Sequence, residues 1–183
     1  LMIILGGTGA IYISFLLIPM EVASMVMSLT TCDEQWKRGI YAISLPVSKT
    51  QIVKSRYAFA LILSLVGFAV ALGVNTISFI CFPAYRFGFY VFLSIASLGV
   101  TLLFLSFILP SNYSLGVNAG FAAMIIMVIL LIILGIWSKL TNNAIMWFVV
   151  EHFELSMVIT FVGVAILFVL SYALSVSFFK RKH

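Results

Sequence analysis

Residues 87–138 read FGFYVFLSIASLGVTLLFLSFILPSNYSLGVNAGFAAMIIMVILLIILGIWS, a run without a single Asp, Glu, Lys or Arg. A helix needs about 20 apolar residues to cross the roughly 30 Å hydrocarbon core of a bilayer. The run is more than twice that long, so it holds two crossings and folds back on itself. Pro110 and the polar cluster Ser111-Asn112-Tyr113-Ser114 mark the expected hairpin, since proline cannot continue a helix unaided and Ser and Asn favour turns. The expected spans are 88–109 and 115–138.

Further uncharged runs lie on either side. Residues 2–29 form a span interrupted only by Pro19 and Glu21, residues 57–82 form one closed by Phe82-Pro83, and residues 155–178 form the last. The composition agrees: 64% hydrophobic and 8% charged, where soluble domains are about half apolar and about a quarter charged. The fold class is therefore all-α integral membrane, a single transmembrane domain over residues 1–183 with five predicted spans. A net charge of +5 would suggest nucleic acid in a soluble domain. Here the cations follow the loops instead, and nucleic acid is set aside as a partner. Lys37, Arg38, Lys49, Lys54 and Arg56 in the loop 30–56 share one side with Lys180, Arg181 and Lys182, while Arg86 and Lys139 fall opposite. That bias places the loop and the C-terminus in the cytoplasm. Leu1 is then outside, already within an apolar segment, so the expectation is that an N-terminal helix is missing here and the intact chain has six spans. A cleaved signal peptide is the alternative.

The loop has its own order. Thr31-x-x-Glu34 has the capping-box pattern, with Asp33 and Glu34 in the first turn of an expected helix. That helix runs to about Ser44, where Pro46 stops it, and Trp36, Ile40 and Ile43 share one of its faces, with Lys37, Arg38 and Tyr41 elsewhere. Ser48-x-x-Gln51 repeats the cap and starts the helix that becomes the second span, with Lys49, Lys54 and Arg56 at headgroup level and Tyr57 as an interface aromatic. On these residues alone two readings stand: a helix lying on lipid headgroups, or one docked on another protein.

Other candidates are sparser. Glu21 is the one ionisable residue well inside a predicted span and so a pathway candidate, against pairing with a polar neighbour or snorkelling. Asn75 is a second pathway candidate, although it and Asn118 also suit interhelical hydrogen bonds. Gly116-x-x-x-Gly120 and Gly6-Gly7-x-Gly9 allow close helix packing. The segment 139–154, KLTNNAIMWFVVEHFE, reads as an outer interfacial or re-entrant element. Its Glu151, His152 and Glu154 are too few for a metal site. Cys32 and Cys81 show no metal spacing and are not expected to pair. No catalytic motif and no G-x-x-x-x-G-K-[ST] phosphate loop occurs, so any ATP-driven engine is on another chain.

The pattern Asp33-Glu34…Trp36-Lys37-Arg38-Gly39…Ser44-Leu45-Pro46-Val47-Ser48-Lys49…Ile52-Val53-Lys54-Ser55-Arg56-Tyr57 resembles the cytoplasmic loop of ABC-2 type permeases. More narrowly it resembles a small bacterial branch with an acidic/Trp segment before LPVS(K/R)…IV…KY, with Arg56 where Lys is usual. The resemblance implies a permease subunit of an exporter. The loop is then a coupling helix, Asp33 to Ser44, docked on a separate P-loop ATPase subunit, with Leu45 to Ser48 as the corner that passes its motion to the second span. The implied coupling residues are Asp33, Glu34, Trp36, Lys37, Arg38, Gly39, Ile40, Tyr41, Ile43, Leu45, Pro46 and Ser48. A second permease subunit, identical or not, completes the pathway. ATP and Mg belong to the ATPase, with no cofactor and no enzymatic activity on this chain. The implied substrate is an amphipathic peptide, a drug or a lipid-like molecule, and the implied location is the bacterial plasma membrane. Two other classes remain open: a partner-free helical membrane protein in immunity, sensing or scaffolding, and an ion-driven carrier using Glu21.

Overall fold

The structure, a computed structural model, describes residues 13–35, 49–81, 87–140 and 153–182. These residues form five α-helices: α1 (Ile18–Gln35), α2 (Lys49–Cys81), α3 (Phe87–Leu115), α4 (Val117–Leu140) and α5 (Phe153–Lys182). A π-helical turn, Ile13–Leu17, runs directly into α1. No strand occurs among the described residues. The stretches Thr50–Cys81, Phe87–Leu115 and Val158–Phe179 are long and apolar enough to cross a membrane, and Ile18–Cys32 and Val117–Ile133 add shorter apolar helices.

Helix α3 is the central post. It packs against each of the other four helices, and half of its spanning stretch is buried, against 28% for α2 and 17% for α5. In lipid the apolar effect does not drive helices together, so close approach of small residues and hydrogen bonding do more of the work. The inner face of α3 fits that requirement with Ser94, Ser97, Gly99, Thr101 and Ser106, all buried. Their hydroxyls are satisfied without leaving the helix: Ser97 donates to the Ser94 carbonyl, Thr101 to Ser97 and Ser106 to Leu102, each at 2.8 Å.

Two apolar clusters complete the packing. One joins Val22 and Val26 of α1, Val53 and Tyr57 of α2, and Leu105 and Leu109 of α3, with Phe168 and Tyr172 of α5 against it. The other joins Ala23 and Met27 to Phe104 and Ile108 and to Val117 and Met124 of α4. The outward faces are equally apolar. Ile125, Ile136, Val158 and Val169 are each more than half exposed. In water such continuous faces drive association, whereas in a bilayer they meet the solvent that suits them.

Three sequence expectations are corrected. The first concerns the hairpin, which does not fall at Pro110. Helix α3 continues through Pro110 and the whole polar cluster to Leu115. Ser111 donates to the Phe107 carbonyl at 2.7 Å and Ser114 to Ser111 at 3.2 Å, so these side chains bond within the helix and open no turn. A membrane helix tolerates proline when nearby groups re-satisfy the backbone. The reversal occurs at Gly116, whose φ of 92° is a conformation glycine adopts without Cβ strain. Its N–H closes the last turn of α3 on Asn112 O at 3.0 Å, and its carbonyl accepts from Ala119 and Gly120 to open α4. One residue therefore ends one helix and begins the next.

The second correction concerns Thr31, which is not a helix cap. Helix α1 runs unbroken to Gln35, and Thr31 Oγ1 donates back to the Met27 carbonyl at 2.9 Å. Thr30 and Ser28 bond backwards in the same way. These hydroxyls are spent on carbonyls four residues earlier, the usual mid-helix behaviour of Ser and Thr. Asp33 and Glu34 thus continue α1 instead of standing in the first turn of a new helix. The third correction is Tyr57, which is buried at 4% exposure and is no headgroup anchor.

Candidate functional site

The C-terminal end of α1 and the N-terminal end of α2 lie at one end of the bundle with the C-terminal turns of α3 and α5. The C-terminal turn of α1 carries Asp33 and Glu34, and α2 begins at Lys49. Trp36, Lys37, Arg38, Gly39, Ile40, Tyr41, Ile43, Leu45, Pro46 and Ser48 lie outside the described residues. The structure therefore defines the two stalks of the expected coupling segment.

The second stalk is held firmly. Tyr57, in the third turn of α2, reaches α5, where its hydroxyl is 2.7 Å from both Ser171 Oγ and Ser175 Oγ. Its ring stands edge-on to Phe168 and Tyr172, with centroids 5.3 Å away in each case. Near the same end Tyr113 of α3 meets Phe179 of α5 at 5.7 Å. Ser171 and Ser175 are four apart and share a helix face. That spacing was the only sign of the clasp in the sequence.

The first stalk meets the α3–α4 elbow. Asn112 is buried and aims its Nδ2 at Met27 Sδ (3.3 Å) and Thr30 Oγ1 (3.5 Å). Its Oδ1 is buried with no hydrogen-bond partner among the described residues. Gly120 makes room for it, because a Cβ at that position would collide with the Asn112 carboxamide and approach Met27 Sδ to 2.9 Å. The G-x-x-x-G pattern thus serves packing within the chain at its second glycine and the turn itself at its first.

Asn75 lies deeper, fully buried. It accepts from Ser14 Oγ at 2.9 Å and donates to Ser94 Oγ at 2.8 Å, which ties the π turn, α2 and α3 together. Asn118, by contrast, is exposed.

Glu21 is exposed on α1 and edges a groove of about 230 Å³ between α1 and α2. The other lining residues are Leu17, Ile18, Val22, Met25, Leu63, Val66, Gly67 and Val70. The surface that these residues offer the groove is wholly apolar, so Glu21 lines it through its carbon stem and not through its carboxylate. Pro19, buried beside it, lacks the N–H that would bond the carbonyl four residues back, and the preceding turn is π-helical. Glu21 and Asn75 are held apart in distinct surroundings, one in the groove and one in the buried hydrogen-bonded seam.

Fold and site together define a helical membrane protein. The family described as ABC-2 family transporter protein matches residues 1–180, and the chain belongs to it. It is a membrane component of ABC transport with a permease role, in a family whose permeases usually work with a partner ATPase. No curated protein and no solved structure matches the chain.

Proposed function

We propose that this chain is the membrane-spanning subunit of an ABC-2 type exporter. It pairs with a second permease subunit, the same or different, and is driven by a separate P-loop ATPase that carries ATP and Mg. The substrate is an amphipathic peptide, a drug or a lipid-like molecule, and the chain itself transports without catalysing. Its setting is the bacterial plasma membrane, with the segment 36–48 between α1 and α2 and the C-terminus in the cytoplasm and that segment docked on the ATPase.

The observation that supports this most is the Tyr57 clasp. A push on the loop reaches the start of α2 at Lys49 and is passed at Tyr57 to Ser171 and Ser175 of α5. An idle loop lying on lipid has no need of a rigid link so near its exit. The basic residues of the loop and tail add their weight to the orientation.

Orientation is the experiment that tests this reading first. Cys32 sits at the loop end of α1 and Cys81 at the far end of α2, and both are free and exposed. In intact cells a membrane-impermeant maleimide is expected to label Cys81 alone, with Cys32 reacting only after permeabilisation. C32S and C81S variants assign the signals. The inverse pattern puts the loop outside, out of reach of ATP, and ends the ATPase-coupled reading.

A further inference from the structure

We propose that the corner where α2 begins and α5 ends binds the headgroup of an anionic phospholipid, held at the membrane surface between the cations of the two helices. The inference goes beyond the transport reading and requires no ATPase.

Placement is the first argument. Six of the ten Lys and Arg residues fall on these two helix ends: Lys49, Lys54 and Arg56 on α2, and Lys180, Arg181 and Lys182 on α5. The two groups are distant in the chain, and the clasp of Tyr57 on Ser171 and Ser175 brings them together. From the clasp α2 runs back eight residues to Lys49, and α5 runs on seven to Lys182. At 1.5 Å per residue both ends reach about 10–12 Å beyond it, so the cations stand at one height.

Charge is the second. Asp33 and Glu34, near the end of α1, supply two acids against these six cations. The α3–α4 elbow, at the same end of the bundle, carries no Asp, Glu, Lys or Arg. The positive excess on the described helix ends is thus gathered on one corner. Topology asks only for a sum of cations on one side of the membrane, whereas like charges crowded at one corner repel unless an anion lies among them. Lys54 is exposed and has no hydrogen bond or ion pair among the described residues. Arg56 is half-buried and already engaged.

Depth is the third. Lys49 directly precedes the apolar stretch Thr50–Cys81, and Lys180 directly follows Val158–Phe179, which puts both at the level of the lipid phosphates. Lys54, one turn further in, reaches that level by laying its alkyl stem along the helix. Below the corner Ile62, Leu170 and Leu174 are each more than half exposed and offer acyl chains an apolar surface. A soluble phosphate has no use for that surface, and a zwitterionic headgroup brings a cation of its own. Each Lys or Arg near an anionic membrane surface contributes about fivefold to binding.

The test uses the full-length permease, without nucleotide or ATPase, in phosphatidylcholine nanodiscs holding a minor share of phosphatidylglycerol. The probes are phosphatidylglycerol and phosphatidylcholine with the same diazirine-bearing tail. The phosphatidylglycerol probe is expected to label residues 58–66 and 166–176 at least fivefold more than its partner. Unlabelled phosphatidylglycerol is expected to compete, and soluble glycerol phosphate is not. Lys49→Gln with Lys54→Gln, and separately Lys180→Gln with Arg181→Gln and Lys182→Gln, are each expected to bring the two probes to parity. Lys139→Gln, at the far end of α4, is expected to leave the preference intact. Leu115→Lys and Asn118→Lys, added to K49Q/K54Q at exposed positions of the elbow, restore the total charge but not the corner, and parity is expected to persist. Recovery of the preference by the elbow lysines overturns the proposal, because net charge alone then explains it. An unchanged preference in either set of glutamine variants overturns it as well. Competition by glycerol phosphate assigns the corner to a free phosphate, and equal labelling of the unaltered protein leaves it to an acidic protein partner; both contradict a lipid site.

Discussion

Gly120→Leu is expected to break the helical hairpin between α3 and α4 and leave little protein that survives extraction as a single species. The cause is steric and local. Even a methyl group at position 120 would occupy the place of the Asn112 carboxamide and press on Met27 Sδ. Asn112 cannot swing aside freely, because it is buried and its Nδ2 is engaged with Met27 and Thr30 of α1. Overpacking a tight site costs about 1–3 kcal/mol, which is the expectation for Gly120→Ala, with leucine well beyond it. Gly73 is the internal control, since a Cβ there meets nothing within 4 Å. Gly73→Ala is expected to gain about 0.5–1 kcal/mol from the lower entropy cost of a helical alanine. Denaturation in mixed micelles reads both. A G120A protein as stable as the wild type would mean that the elbow is not packed as described.

Tyr57→Ala is the second large effect. The side chain is 4% exposed, lies between two aromatic rings and bonds two serines. Truncating a buried aromatic to alanine costs about 3–5 kcal/mol. Tyr57→Phe keeps the ring and loses only the hydroxyl. Hydrogen bonds between membrane helices average about 0.6 kcal/mol and reach about 1.7 kcal/mol, so that variant falls in the lower range. The two variants thus separate packing from bonding. Spin labels at the exposed positions Phe59 and Leu174 report the mechanical consequence: a narrow α2–α5 distance in the wild type and a broad one in Y57A. If the distance stays narrow in Y57A, α2 and α5 are joined by something other than this clasp.

These two residues also show how far the sequence could be read. The membrane class, the all-helical fold and the run containing α3 and α4 were legible, because an uncharged stretch of that length has few alternatives in a bilayer. The position of the reversal was not. Pro110 and four polar residues signal a turn in water, but here the Ser111 and Ser114 hydroxyls bonded back to their own helix, Asn112 turned to α1 and the break moved to Gly116. Thr31 misled for the same reason, since a capping pattern and a back-bonding threonine are identical in sequence. Tyr57 at the start of a span resembles an interface anchor until α5 is placed beside it, and contacts separated by more than a hundred residues leave no local signal. Glu21 stood out by rarity alone, whereas the groove around it depends on how α1 and α2 pair.

The central claim is that a separate ATPase drives this permease through the loop framed by α1 and α2. It is tested most directly by purifying the full-length protein from its native membrane in mild detergent and identifying the co-purifying chains by mass spectrometry, beside a control carrying Asp33→Lys and Glu34→Lys. The account predicts a P-loop ATPase with the wild type and its loss in the charge-reversed protein. An ATPase retained equally by both would displace the contact from the α1 stalk, and the absence of any ATPase even after mild crosslinking would contradict the claim itself.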